Sequence, residues 1–263
     1  MRCRRRPLFL ILLLFTINTC LAQVTPVYTF QKDDTVVKRT YYNEALKKKI
    51  SLKASLPKEN TKEYEQAYNE MFITVEDLLL SSRSVTEKTA DDYIKKIAAR
   101  IVAANPELKE LDTRIVFSRD FSPNAFSIGD GTISFNAGLF VYLENEAQMA
   151  FIVCHELAHY YLDHSRKRLN RYIQIANSDS LKKEMKKLSK QEYRVGEQFK
   201  RLLKQFVFDA RKHSRDNEEE ADKIGLRFFK NSGYNGNGFI TAMQLLDKAD
   251  DTALFAPVTI SKV

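Results

Sequence analysis

The stretch Phe151-Ile152-Val153-Cys154-His155-Glu156-Leu157-Ala158-His159-Tyr160-Tyr161-Leu162-Asp163 carries the pattern H-E-x-x-H in an apolar setting. On a helix, residues four apart stand one above the other, about 6 Å apart, so the imidazoles of His155 and His159 reach one ion. Glu156 is turned about 100° from His155. It leaves the line of the ligands while its carboxylate stays near a water that the ion would activate, the place for a general base. Met149, Ala150, Ile152, Val153, Leu157 and Ala158 make the segment apolar nearly all round, which predicts a buried helix. Two histidines and a glutamate buried there need partners. One zinc ion per chain is the predicted partner, because a surface helix with an incidental His-Glu pair would not carry such flanks. Cys154 sits beside His155 but is turned about 100° off the ligand line, and is read as a small core residue.

The rest of the composition sets the frame for that helix. A chain of 263 residues is long enough for one sizeable core with a helical extension. Eight glycines, six prolines and no tryptophan argue against a long-looped or disordered chain, and predict an α+β fold that is mainly helical. Met-Arg-Cys-Arg-Arg-Arg followed by apolar Leu8 to Phe15 is too short to span a bilayer, and reads as a signal peptide over residues 1–22. Export to a periplasmic or secreted location is the expectation. Cleavage after Ala22 is the main reading and lipid attachment at Cys20 the alternative. With Cys3 and Cys20 in that segment, Cys154 is left alone and no internal disulfide is expected. Cleavage would also take the formal charge from +8 to +4, since residues 1–22 hold four arginines and no acid.

Taken in order, residues 23–60 mix short apolar runs with Lys47-Lys48-Lys49 and predict an irregular or strand-like N-terminal arm. Apolar residues at steps of three and four predict a helix from Tyr64 to Leu80 and another opening at Thr86-Glu87-Lys88 and closing near Pro106. Both are expected to cover the layer of the active site. Strands are predicted around Ile115, Val116 and Phe117, at Ala125 to Ile128, and after the turn Gly129-Asp130-Gly131. The last of these, Gly131, Thr132, Ile133 and Ser134, is the candidate edge strand for holding an extended peptide by strand addition, with an ordinary hairpin as the alternative.

Asn145 is the expected cap of the H-E-x-x-H helix. His164, five residues beyond His159, is expected to face elsewhere, at the surface or behind the ligands. Residues 165–212 hold fifteen Lys and Arg against five Asp and Glu, with apolar residues at helical steps. A basic helical insertion, a hairpin with one long arm, follows. Its charge reads first as a solvated face; peripheral contact with a membrane is the candidate alternative, and no nucleic acid is expected.

Two histidines need a third protein ligand that leaves a coordination position open. Ser214-Arg215-Asp216-Asn217-Glu218-Glu219-Glu220-Ala221-Asp222 supplies it. Glu218 and Asp222 lie one turn apart on a shared face, so Glu218 can bind the ion while Asp222 accepts a hydrogen bond from a ligand imidazole. Glu219 and Glu220 are predicted to point away. Together with Asn124-Ala125-Phe126, Gly131-Thr132-Ile133, Asn136, Gly138-Leu139, Asn145-Glu146, His164 and Ser214-Arg215, these motifs resemble the HtpX and BepA-type zinc metallopeptidases, the family that includes the CAAX prenyl proteases.

The resemblance covers roughly residues 115–233. It implies a gluzincin-type metallopeptidase domain over residues 61–263, with His155, His159 and Glu218 on zinc, Asp222 behind them and Glu156 as base. It further implies an endopeptidase acting on unfolded or misassembled exported polypeptides. The alternative is a zinc-containing, chaperone-like or surface-binding protein working through the basic insertion. Relatives carry a Thr-His-Pro segment beyond the E-x-x-x-D helix. No histidine follows His213 here, so that role is assigned to no residue.

Overall fold

The computed structural model describes residues 33–190 and 195–255, with side chains at 33–190 and 212–246. The signal segment, Cys3 and Cys20 lie outside the described residues. Asp34 opens the first helix, α1 (Thr35–Ala54), by accepting from the backbone amides of Val36 and Val37. From residue 33 onward the irregular or strand-like arm is thereby corrected; its residues 23–32 lie outside the described residues. Only Tyr41 and Ala45 of α1 are buried, so the helix carries almost no apolar stripe by which its period could be recognised.

Helix α2 (Thr61–Leu80) lies against α1, and the ion pairs Lys49 with Glu76 and Lys53 with Glu65 fix the two as antiparallel neighbours. A short strand, β1 (Ser84–Val85), leads to α3 (Lys88–Ala104), capped by the Glu87 side chain. The strands β2 (Arg114–Ser118), β3 (Ala125–Ser127) and β4 (Thr132–Asn136) complete a four-stranded sheet in the order β1-β2-β4-β3. β2 and β4 are parallel, with Ile115 opposite Ile133 and Phe117 opposite Phe135; the other two pairs are antiparallel.

Side chains alternate across a strand, and this divides the core. Ile115, Ile133 and Phe135 face a cluster with Ile94, Ile97 and Ile101 of α3. Val116 faces the other way, onto Phe72, Val75, Leu78 and Leu79 of α2 and Tyr41 of α1. Of the two helices expected over the active-site layer, α3 therefore does so and α2 packs on the opposite face of the sheet.

Helix α4 (Glu146–Tyr161) begins where Asn145 accepts from the Gln148 amide at 3.1 Å, as expected of its cap. From Gln148 to Cys154 every residue is buried, so α4 is the central rod of the domain. Asp163, at φ 58°, breaks the chain before α5 (His164–Asn177), which is followed by α6 (Asp179–Leu188) and the long α7 (Val195–Asn231). The predicted helical insertion thus consists of α5, α6 and the first half of α7.

α7 presses closely on α4. A Cβ at Gly225 would come within 2.9 Å of the His155 Cα, so only glycine lets the two backbones approach this far. Helix α8 (Asn237–Phe255) closes the far side, with Phe239 edge-on to Phe151 and Thr241 bonded to Gln148 at 3.0 Å. Among the described residues no helix is long and apolar enough to cross a membrane.

Candidate metal centre and cleft

Close approach of α4 and α7 brings three donor atoms together. His155 Nε2 lies 3.1 Å from His159 Nε2, and each stands 3.4 Å from Glu218 Oε2. Ligands 2.0–2.1 Å from a tetrahedral zinc are spaced about 3.3–3.4 Å apart, so this nearly equilateral triangle fits such an ion. The same three residues form the candidate metal group among the described residues.

Behind the donors, each imidazole is held from its other nitrogen. His155 Nδ1 is 3.0 Å from Asp222 Oδ1, the predicted contact. His159 Nδ1 meets His164 Nδ1 at 2.9 Å, and His164 Nε2 meets Glu220 Oε2 at 3.2 Å. If Nε2 of both ligands serves the ion, the protons sit on Nδ1, His164 accepts from His159, and His164 donates from Nε2 to Glu220.

Of the two alternatives for His164 the second holds, and the expectation for Glu220 is corrected. His164 is 3% exposed and stands behind the ligands, not at the surface. Glu220 does not point away: the break at Asp163 turns His164 back toward α7 and within its reach. A spacing of five turns His164 away from His159 on an unbroken helix, so only the left-handed Asp163 brings it behind the ligands, and nothing local to the acidic run separated Glu220 from Glu219. Glu219 does point away, pairing with Lys223.

Electrostatics follow from this packing. Burial opposes a charge on His155, but the hydrogen bonds it donates to Asp222 and Glu218, with the charge of Glu156, win, and its pKa rises to about 10. His155 and His159 hold the Glu218 carboxyl well below the usual range. Glu156 is 6% exposed, and burial pushes it up to about 7 against the two histidines and the Ser127 backbone amide that bonds its carboxylate. Cys154 is fully buried, its thiol pushed up by burial, and it takes no part in the centre.

A cleft of about 450 Å³ opens onto Glu156 and the donors, walled by β3 on one side and by Arg168, Ser214 and Asn217 on the other. The predicted edge strand is corrected. Thr132, Ile133 and Ser134 are fully buried in β4, which pairs on both edges, while Gly131 enters it from the turn. The parallel pairing of β4 with β2 puts it inside the sheet and leaves its hairpin partner β3 outermost. Asn136 donates to Asn124 and Ile128 to Thr132, so by antiparallel alternation Ala125 and Ser127 aim their backbone groups outward.

A mainly helical α+β domain with a His-His-Glu donor triangle and a sealed carboxylate beside it defines a metallopeptidase. The chain belongs to peptidase family M48, whose profile matches residues 88–257. It is also 23% identical, over 159 residues, to a Vibrio cholerae protein carrying the name beta-barrel assembly-enhancing protease. That match covers 58% of this chain and 32% of the relative, so the chain spans about a third of the relative's length.

Proposed function

We propose that this protein is a zinc-dependent endopeptidase that hydrolyses polypeptides exported from the cytoplasm. The observation that carries the reading is the position of Glu156: a buried carboxylate beside the donor triangle, held by the Ser127 amide and raised toward neutrality. A purely structural metal site has no use for such a base, which favours hydrolysis over a binding role. His155, His159 and Glu218 would hold the ion. Bound zinc supplies Lewis acidity and brings the pKa of water to about 7.

The chain's own residues do the rest. An extended substrate lies along the outer edge of β3, where Ala125 offers both an N–H and a C=O, as added strands do. Glu156 takes a proton from the attacking water as the new C–O bond forms, and delivers it to the amine as the C–N bond breaks. Asp222 and the His164–Glu220 pair hold the ligand rings, so the site is oriented before substrate arrives.

An exported, periplasmic or secreted location rests on residues 1–22, and the beta-barrel assembly-enhancing name of the relative agrees with work on envelope proteins. The test is metal content together with cleavage of an unfolded protein such as casein by the wild type and by Glu156→Gln. Casein cut equally by both, or by neither when zinc is fully loaded, would overturn the reading.

A further inference from the structure

A second cavity, of about 550 Å³, lies between α1, α2 and the start of α5. Ser165 and Arg168 line both this cavity and the metal-site cleft, so the two share a wall at the first turn of α5. The second cavity is built from two kinds of surface. Leu52 and Met71, with the rings of Tyr68 and Tyr160, give it apolar sides, while Lys48, Arg166 and Arg168 bring positive charge.

Asp163 is the acid on its lining, and it is taken up by Arg166. Lys48 and Arg168 have no acidic partner among the described residues; Lys48 lies only over the Tyr160 ring, at 5.8 Å. Tyr68 is 7% exposed, lines the cavity, and has no hydrogen-bond partner for its hydroxyl among the described residues. That hydroxyl is not sealed from solvent, so it is free to donate to a group that enters the cavity.

We propose that this cavity is a substrate exosite, adjoining the cleft at Ser165 and Arg168, which takes an acidic, apolar-flanked segment of the polypeptide being cleaved. That adjacency and the unopposed positive charge decide the occupant. A chain lying along β3 and leaving the cleft over the exposed Arg168 reaches this space, where Lys48 and Arg168 meet carboxylates, the Tyr68 hydroxyl donates to one, and Leu52 and Met71 cover the apolar neighbour. The inference rests on the peptidase reading, and adds to it a preference remote from the scissile bond.

The test uses zinc-loaded protein and peptides sharing one cleavable core, each extended at either end by an Asp-Leu-Glu or an Asn-Leu-Gln segment. One acidic extension should lower KM about tenfold relative to its neutral twin, the value of one charge-assisted hydrogen bond or more. Added salt should shrink that ratio, because the lysine is partly exposed. Lys48→Arg should keep the preference, and the double variant K48E/R168E should turn it toward a Lys-Leu-Lys extension.

Fluorescence anisotropy with the same peptides on zinc-loaded Glu156→Gln reads binding without hydrolysis. Selective binding there without turnover in the wild type would overturn the peptidase reading and leave the exosite standing. Equal KM and equal binding for acidic and neutral peptides would overturn the exosite, as would an acidic preference that survives in a folded K48E/R168E protein.

Discussion

His159 and His164 meet Nδ1 to Nδ1 at 2.9 Å, whereas His155 reaches Asp222 directly at 3.0 Å. The two ligand imidazoles are thus held differently, one by a carboxylate and one through a second histidine leaning on Glu220. Partners behind a metal ligand are worth about 10–100-fold in affinity. We expect zinc affinity, measured by chelator competition, to fall most in Glu218→Ala, by an intermediate amount in His164→Ala and Glu220→Ala, and not at all in Glu219→Ala. Equal affinities for the Glu219 and Glu220 variants would remove Glu220 from the centre.

Glu156→Gln keeps size and polarity and removes only the base. Zinc content and melting temperature should stay at wild-type values, while kcat falls by roughly 10²–10⁴. The wild type needs Glu156 ionised, so kcat/KM should drop as pH falls. Without an ion the carboxyl titrates at about 7, and a dication beside it moves that limb to lower pH. An acid limb above pH 7 in the zinc form would contradict this assignment.

Much of this was legible because local patterns and tertiary structure agree. The i, i+4 spacing of His155 and His159, the shared face of Glu218 and Asp222 and the cap at Asn145 are properties of single helices, and each stands where its spacing puts it. What escaped depends on contacts between elements. Whether β3 or β4 is the edge is decided by pairing of β4 with β2, distant in the chain. Glu220 matters only because Asp163 adopts a left-handed backbone and turns His164 back toward α7. α1 is held by two buried residues, Tyr41 and Ala45, too few to show a period against its lysines.

Metal and proton compete for His155. Its pKa of about 10 in the metal-free site lies above the ordinary 6.5, so the imidazolium bridges Glu218 and Asp222 at neutral pH. The stability this contributes is complete below pH 6.5 and is lost as pH rises through 10. Zinc binding at pH 7.5 should therefore release a proton, and affinity should climb with pH up to about 10. Titration calorimetry in two buffers of different ionisation enthalpy measures the release; identical heats in both would show that His155 is neutral before the ion binds.

Gly225 links the fold to the centre. An added Cβ would meet the His155 Cα at 2.9 Å and its backbone nitrogen at 3.1 Å, neither of which can swing aside as a side chain can. Gly225→Ala must therefore part α7 from α4, at a cost of about 1–3 kcal/mol, and carry Glu218 and Asp222 away from His155 with it. Both the melting temperature and zinc affinity should fall. Gly236→Ala, where an added Cβ meets nothing within 4 Å, serves as the control. A Gly225→Ala protein with normal zinc affinity would mean the donor triangle does not depend on this helix contact.

The basic insertion is where the hydrolytic and the surface-binding readings diverge. Lys182, Lys183, Lys186 and Lys187 are all exposed on α6, and by helical geometry they share one side, opposite Leu181, Met185 and Leu188. None of the four lines the cleft or the second cavity. Replacing them together with Gln is expected to leave short-peptide turnover and zinc content unchanged. Near an anionic membrane each lysine is worth about 1 kcal/mol, so a docking role would show as a large loss of vesicle binding that added salt also produces. Vesicle binding lost with turnover intact would assign this face to membrane contact. Turnover lost with zinc retained would instead place α6 in the path of the substrate, against the geometry of the cleft.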